Sequence, residues 1–394
     1  MMSYDIKPDP LNLPQLPQIL QTEAQNQYER LKKHLPEEIF AKFEARSEFL
    51  YVLALSDFVA NTIFSYPKEC AELLDKGALD NPCFNEDLKA TVESFIVQGL
   101  SDFELKKRLR ILRRTRTMII AWRDLCGMAE INEVMSALSL LAELIVLRTI
   151  EVVRLSFKRA FGDALCEDGS QMPLLTYAMG KLGGEELNFS SDIDLIFAYP
   201  EDGETTGGPR SLSFREFFTR IVQRSANFLS DITVDSFCYR IDLRLRPFGD
   251  AGPMVSTFDG MSTYYETQGR TWERYALVKA RLLGGYSVYR EYGPELVSLL
   301  RPFVYRRYLD YGAVQSLRKL KHMIEAELRR KRRINNFKLG EGGIREIEFI
   351  AQVFELMRGG RYEELRERSL RKTLVALADL ELLPSEVAAK LDDA

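Results

Sequence analysis

The chain has 394 residues, of which 46% are hydrophobic and 28% are charged, and this mix excludes wholesale disorder. It has no uninterrupted apolar run of about 18 residues, so no membrane-spanning helix is expected, and its N-terminus shows no secretory signal. A net charge of −4 disfavours a general nucleic-acid-binding protein. Five cysteines without a CxxC pair favour reduced thiols in the cytoplasm, and with only 2 histidines, any metal site is expected to use carboxylates.

The first part of the chain is predicted to be helical. Residues 1–20 contain four prolines and are predicted to form an extended arm, whereas residues 21–163 are poor in glycine and show helical periodicity. Ser101-Asp-Phe-Glu104 is a capping-box sequence that predicts the start of a helix. Seven basic residues follow on that helix between Lys106 and Arg116, and five more occupy Arg329–Arg333. Such runs indicate either an acidic partner surface or a solvated helix face.

Strand-like patterns appear beyond Pro173, inside a predicted domain of residues 164–285. Leu174–Met179 and Asp192–Tyr199 are short apolar runs that predict buried strands. Phe237–Leu245 alternates between apolar and charged residues, which predicts a half-buried strand.

The remaining segments are predicted to be helical. Ser213 is expected to cap a helix that runs to about Ser230, and helices resume beyond Phe258, with residues 286–394 forming a C-terminal helical bundle. The sequence therefore predicts an α+β fold that is mostly helical. A small mixed sheet would be flanked by N-terminal helices and by the C-terminal bundle.

The pattern with the clearest chemical meaning is Asp192-Ile-Asp194 at the start of the second predicted strand. The period of two along a strand places both carboxylates on one face, with Ile193 and Leu195 towards the core. Such a pair is suited to Mg²⁺, or to Mn²⁺, and a bound ion would neutralise phosphate charge during displacement at phosphorus. The alternative is that both aspartates are simply solvated at the start of a surface strand.

A glycine pair and a third carboxylate strengthen the case for a site. Gly183 and Gly184 are expected to let backbone N–H groups approach a phosphate, with Ser190 and Ser191 as further donors. Asp242 lies on the charged face of the predicted strand 237–245, flanked by Arg240 and Arg244, where it is expected to complete the site. The alternative is that it belongs to a purely structural Asp–Arg ladder on the surface. Its neighbour Arg244 is expected either to bind phosphate as a guanidinium fork or to form a salt bridge with the aspartates.

These motifs resemble a known family. A glycine pair, a D-x-D strand and a third aspartate resemble the polymerase β-like nucleotidyltransferases. The longer blocks GKLGGEELNFSSDIDLIF, YRIDLRLRPFGDAGPMV, YYETQGRTWERYALVKARLLGG and KLGEGGIREIEFIAQVFELMRGG resemble glutamine synthetase adenylyltransferase/adenylyl-removing enzymes. The resemblance covers residues 45–375 and places this chain with the N-terminal, adenylyl-removing unit of that family.

The resemblance implies a function beyond what the residues show. It implies Mg²⁺ at Asp192, Asp194 and Asp242, and a nucleotidyltransferase that removes AMP from a tyrosine of glutamine synthetase by phosphorolysis. Phosphate would be consumed and ADP released, with the nitrogen-signalling PII protein as a regulatory partner. Two alternatives stay open: attachment of AMP from ATP by the same centre, and a non-catalytic regulatory module that binds PII. An RNA nucleotidyltransferase is disfavoured by the acidic charge balance.

One further block, Gly343-Ile-Arg345-Glu346-Ile-Glu348, belongs to the same resemblance. Arg345 and Glu348 are spaced as neighbours on one helix face, which suggests an ion pair between domains. The alternative is that Glu346 or Glu348 faces the catalytic cleft.

Overall fold

The computed structural model describes residues 13–81, 87–285, 289, 291–306, 315 and 343–393. Most of these residues are helical, and five short strands form one mixed sheet, as the sequence predicted. The basic run Arg329–Arg333 lies outside the described residues. None of the described helices is both long enough and apolar enough to cross a membrane.

The part of the chain before the sheet is helical. Its helices, in chain order, are α1 (Gln18–His34), α2 (Glu37–Glu44), α3 (Phe49–Leu55), α4 (Asp57–Ser65), α5 (Pro67–Asp75), α6 (Asp87–Phe95), α7 (Asp102–Leu125) and α8 (Ile131–Phe161). The predicted cap of α7 is present, because the Ser101 hydroxyl accepts a hydrogen bond from the Glu104 N–H at 3.2 Å. Trp122 of α7 is fully buried and stacks on Phe49 at a ring-centroid distance of 5.8 Å.

A first compact unit consists of residues 1–152, 187–191 and 227–239. The basic run of α7 belongs to this unit, and most of its side chains contact other residues of the unit. The Arg110 side chain is buried and donates to the carbonyls of Phe228 and Ser236 at 3.1 and 2.7 Å. Arg113 lies over the ring of Tyr239 at 4.9 Å. The clustering of charge on α7 is therefore explained largely by contacts within the unit, where the sequence suggested a partner surface or a solvated face.

The second compact unit consists of residues 153–186, 192–226 and 240–394 and contains the sheet. Its strands are β1 (Leu175–Ala178), β2 (Ile193–Tyr199), β3 (Ile241–Asp242), β4 (Val255–Thr257) and β5 (Arg281–Leu282). Strand β2 pairs antiparallel with β1 and parallel with both β3 and β4, and β1 also pairs antiparallel with β5. The two strands predicted from apolar runs, β1 and β2, thus form the centre of the sheet.

Further described helices lie between the strands and after them in the chain. They are α9 (Gly180–Gly183), α10 (Phe214–Ser230), α11 (Phe258–Thr267), α12 (Thr271–Leu277), α13 (Tyr292–Val304), α14 (Ile344–Arg358), α15 (Leu370–Asp379) and α16 (Ser385–Asp393). The predicted cap of α10 is present, since the Ser213 hydroxyl accepts from the Glu216 N–H at 3.3 Å. A buried cluster of β1, β2, α11, α12 and α13 side chains forms the core on one side of the sheet.

The predicted strand Phe237–Leu245 is wrong in length, because only Ile241 and Asp242 are in β-structure. The Asp242 carboxylate accepts from the backbone N–H of Arg244 at 2.8 Å, and this local turn ends the strand. The predicted alternation also fails at its start, where Cys238 and Tyr239 are both buried.

Candidate active site

The site begins where β2 and β3 run side by side. In this parallel pair Ile193 is the register partner of Ile241, and Asp194 is the register partner of Asp242. Adjacent strands lie about 4.8 Å apart, and register partners project from the same face of a sheet. Ile193 and Leu195 are buried, as expected for the opposite face. The pairing therefore brings Asp194 and Asp242, which are 48 residues apart in sequence, to one place on the sheet.

Asp242 is held by its neighbour. The Arg244 Nε donates to both carboxylate oxygens of Asp242, at 3.0 and 2.9 Å. These hydrogen bonds keep the pKa of Asp242 below its usual value, against the opposing effect of burial. The hydrogen bond with Asp242, reinforced by the charges of Asp250 and Asp194, raises the pKa of Arg244. Arg244 thus forms the salt bridge that was one of its two predicted roles.

Asp192 comes directly before β2 and pairs with Arg240, which comes directly before β3. Both side chains of this ion pair are 54% exposed. Among the residues that the structure describes, no three His, Cys, Asp or Glu side chains are grouped so as to hold a metal ion. Arg240 forms an ion pair with Asp192, and Arg244 forms one with Asp242. The pairing of β2 with β3 brings two carboxylates together, those of Asp194 and Asp242.

The glycine turn after β1 abuts this pair. Gly180 begins α9 with a positive φ of 54°, and a Cβ at this position would lie 3.0 Å from the Asp194 Oδ2 atom. Sequence reasoning missed Gly180, although its place at the end of an apolar run was a usable signal. A side chain here would strain the backbone and crowd Asp194.

Gly183 and Gly184 lie in the same turn, and packing requires them to be small. A Cβ at Gly183 would lie 2.0 Å from the Lys279 carbonyl oxygen, and one at Gly184 would lie 3.1 Å from the Arg368 carbonyl oxygen. Their N–H groups donate to the carbonyls of Met179 and Gly180, both at 3.1 Å. These donors are therefore engaged within the turn, and their predicted role in binding phosphate stays a prediction.

Ser190 and Ser191 lie in the stretch 187–191, which belongs to the first unit. The Ser190 N–H donates to the Asn188 side chain at 3.3 Å, and the Ser191 hydroxyl donates to it at 2.5 Å. Asn188 thus organises this loop directly before Asp192 in the chain. The role of the two serines as phosphate donors stays a prediction.

A cluster of three charged side chains lies beside the glycine turn. The sequence did not predict that these three residues contact each other. The Lys279 ammonium donates to Glu186 and to Glu348 at 2.7 Å each, and the Lys279 side chain is only 7% exposed. The other Glu186 oxygen accepts from the Leu370 N–H at 2.6 Å, at the start of α15. Glu348 is therefore partnered by Lys279, where the sequence suggested Arg345.

Comparison with known proteins matches the chain to two families. Residues 46–291 match the profile of the family described as glutamate-ammonia ligase adenylyltransferase. Residues 318–394 match the profile described as GlnD PII-uridylyltransferase.

Three curated relatives share the name bifunctional glutamine synthetase adenylyltransferase/adenylyl-removing enzyme. The protein from Psychromonas ingrahamii is 45% identical over 353 residues, which are 90% of this chain and 37% of the relative. The Shewanella loihica protein is 46% identical, covering 86% of this chain and 35% of the relative. The Shewanella woodyi protein is 42% identical, covering 93% and 38% respectively. The chain thus spans little more than a third of the length of these relatives.

Proposed function

The chain belongs to the glutamate-ammonia ligase adenylyltransferase family, and from this premise we propose that it removes AMP from adenylylated glutamine synthetase. The acceptor of AMP would be inorganic phosphate, and the products would be ADP and the unmodified tyrosine. The reaction would belong to the control of nitrogen assimilation in the cytoplasm.

The register pairing of Asp194 with Asp242 is the observation that carries the proposal. Mg²⁺ is usually bound through one or two protein carboxylates together with substrate phosphates. Two aspartates on one face of neighbouring strands fit that requirement, and Mn²⁺ accepts the same donors. Asp192 would join them by exchanging its partner Arg240 for the ion. A bound ion would supply charge neutralisation at the phosphates.

The chemistry demands little of the protein beyond positioning and charge. An oxygen of phosphate forms a bond to the phosphorus of AMP–tyrosine, the bond from that phosphorus to the tyrosine oxygen breaks, and that oxygen takes up a proton. Because the nucleophile is already an anion, no strong general base is needed. Two anions must approach each other, so cations are needed nearby. Arg244 is 71% exposed on the side chain and is the described arginine best placed to contact phosphate beside Asp242.

The test is to incubate the chain with adenylylated glutamine synthetase, phosphate and Mg²⁺ and to measure ADP. Asp194→Asn and Asp242→Asn should each reduce ADP release by at least about 100-fold, as expected when charge stabilisation of the transition state is removed. Asp259→Asn is the matched control, since it makes the same chemical change at an exposed position of α11. Unchanged turnover in the Asp194 or Asp242 variant would reject the site.

The nearest alternative is attachment of AMP from ATP at the same carboxylates, and ATP consumption without phosphorolysis would favour it. The PII signal protein is our proposed regulatory partner. The match of residues 318–394 to a PII-uridylyltransferase profile supports this choice. A pull-down with purified PII, with and without glutamine, tests it independently of catalysis.

A further inference from the structure

The segment after Asp242 is a tightly held loop, residues 243–252. Its anchor is the guanidinium of Arg246, which is only 9% exposed on the side chain. This group donates to the carbonyls of Leu243, Asp250 and Gly252 at 2.7, 3.3 and 3.4 Å. A buried cation that binds three backbone carbonyls fixes the loop in one conformation.

The loop folds back towards the candidate site. A Cβ at Gly249 would lie 3.7 Å from the carbonyl oxygen of Arg244, the residue whose backbone N–H and guanidinium both bind Asp242. The backbone of the loop tip therefore lies near the backbone of Arg244, and the charge of Asp250 in the same loop acts on the Arg244 guanidinium. Phe248 lies directly before Gly249 in this tip.

Phe248 has two features that folding alone does not favour. Its φ of 62° and ψ of 7° place it in the left-handed region, which a bulky side chain rarely adopts. The residue is also 49% exposed, unlike most phenylalanines of the described residues. One side of the ring is supported by Tyr264 at a centroid distance of 4.4 Å, and the Tyr264 hydroxyl donates to the buried Glu273 at 2.6 Å. The loop that follows Asp242 and is anchored by Arg246 thus presents a partly exposed aromatic ring that Tyr264 supports on one side.

We propose that Phe248 is the platform on which the adenine ring of the nucleotide stacks. This inference rests on the proposed function, since it requires an adenine nucleotide at Asp194 and Asp242. A base has a flat π-face, and stacking on an aromatic side chain increases affinity by about tenfold or more. A phosphate or a metal ion would gain nothing from an exposed phenylalanine, so the base is the part of the nucleotide that this ring fits.

The experiment measures binding of ADP and of inorganic pyrophosphate, each with Mg²⁺, by calorimetry on the full chain. Phe248→Ala should weaken ADP binding about tenfold and leave pyrophosphate binding unchanged, because pyrophosphate has no base. Phe248→Trp should keep the ADP affinity within about twofold. Phe248→Asn should lose affinity as Phe248→Ala does, and since asparagine tolerates the left-handed conformation, misfolding of the loop would not explain the loss. Phe103→Ala on α7, where the phenylalanine is 68% exposed, is the control and should bind as the wild type does.

Three results would overturn the platform: no ADP binding by the wild type, equal ADP affinity of the wild type and Phe248→Ala, or equal weakening of ADP and pyrophosphate. Failure of the proposed function is recognised separately. If the wild type released no ADP from adenylylated glutamine synthetase while ADP binding still depended on Phe248, the platform would stand and the phosphorolysis would not.

Discussion

Glu355 on α14 is buried, and only one of its two carboxylate oxygens has a hydrogen-bond partner among the described residues. Thr373 donates to Oε1 at 2.6 Å, whereas Oε2 has no hydrogen-bond partner among the described residues. Burial raises the pKa of Glu355 to about 8, against the opposing effects of Thr373 and Lys279. The carboxyl is therefore neutral in the folded protein at a pH where it is ionised in the unfolded chain.

This raised pKa makes stability depend on pH. The contribution of Glu355 to the free energy of unfolding is fully present below the pKa of the unfolded chain, near 4.5, and is lost as the pH rises towards 8. Glu355→Gln cannot ionise, so its stability relative to the wild type should rise between pH 5 and 8, by up to about 4 kcal/mol. Urea unfolding at several pH values measures this, with the exposed Glu364→Gln as the control. A pH-independent difference between Glu355→Gln and the wild type would contradict it.

Glu185 follows the glycine turn and has a φ of 58°, in the left-handed region. The residue before it, Gly184, has a negative φ and is needed for packing rather than for its backbone conformation. The left-handed conformation that favours glycine falls on Glu185 instead. Glu185→Gly should therefore stabilise the chain by about 1 kcal/mol. Glu185→Ala is the comparison, because it removes the same carboxylate but keeps the Cβ. Equal midpoints of thermal unfolding for the two variants would rule out the strain.

Elements differ in how far the sequence predicts them. The central strands β1 and β2 were predicted because each is an apolar run next to a glycine or an aspartate pair. Strands β4 and β5 have three and two residues, too few to show a period. The face that carries Asp242 was predicted, but the register that pairs it with Asp194 depends on a neighbouring strand far along the chain. Turn chemistry at Asp242, which a periodicity pattern does not contain, shortened β3.

The charge cluster of Glu186, Lys279 and Glu348 joins three separate segments beside the glycine turn. Burial lowers the pKa of Lys279, and the two glutamates more than offset this effect, so the ammonium stays charged. Lys279→Met leaves two half-buried carboxylates without their cation and should cost about 3–5 kcal/mol of stability.

A triple variant separates charge from packing in this cluster. Lys279→Met combined with Glu186→Gln and Glu348→Gln removes all three charges and should recover much of the loss, since no unpaired charge is left. Lys390→Met breaks an exposed pair with Glu386 on α16 and should change stability by less than about 0.5 kcal/mol. Denaturant unfolding of all three variants decides the matter. A triple variant no more stable than Lys279→Met would show that packing, rather than charge, holds the segments.

At the scale of the whole chain, the sequence indicated helices, then a mixed sheet, then helices, and the described residues follow that order. It did not indicate that the first compact unit draws on three separate stretches. Composition changes along a chain reveal contiguous regions. They do not reveal that residues 227–239, which begin in the last turn of α10, belong with helices about 100 residues earlier in the chain, because such contacts are set by tertiary packing.

The stretch 227–239 provides the carbonyls that satisfy Arg110. In a fragment of residues 1–152 the Arg110 guanidinium would lose its bonds to Phe228, Asp231 and Ser236 and keep its bond to the Lys106 carbonyl. Burial already lowers the pKa of Arg110. We therefore expect this fragment to unfold at a lower denaturant concentration than the full chain, or to lack a cooperative transition.

A mutant cycle links that loss to Arg110 itself. In the full chain Arg110→Met removes satisfied hydrogen bonds and leaves carbonyls unpaired, which should cost about 3 kcal/mol. In the fragment the bonds to residues 228, 231 and 236 are already absent, so the same change should cost far less. Urea unfolding followed by circular dichroism gives the four stabilities. If Arg110→Met lowered the free energy of unfolding equally in the full chain and in the fragment, Arg110 would not couple the first 152 residues to the stretch 227–239. The contacts between them would then contribute nothing to stability through Arg110.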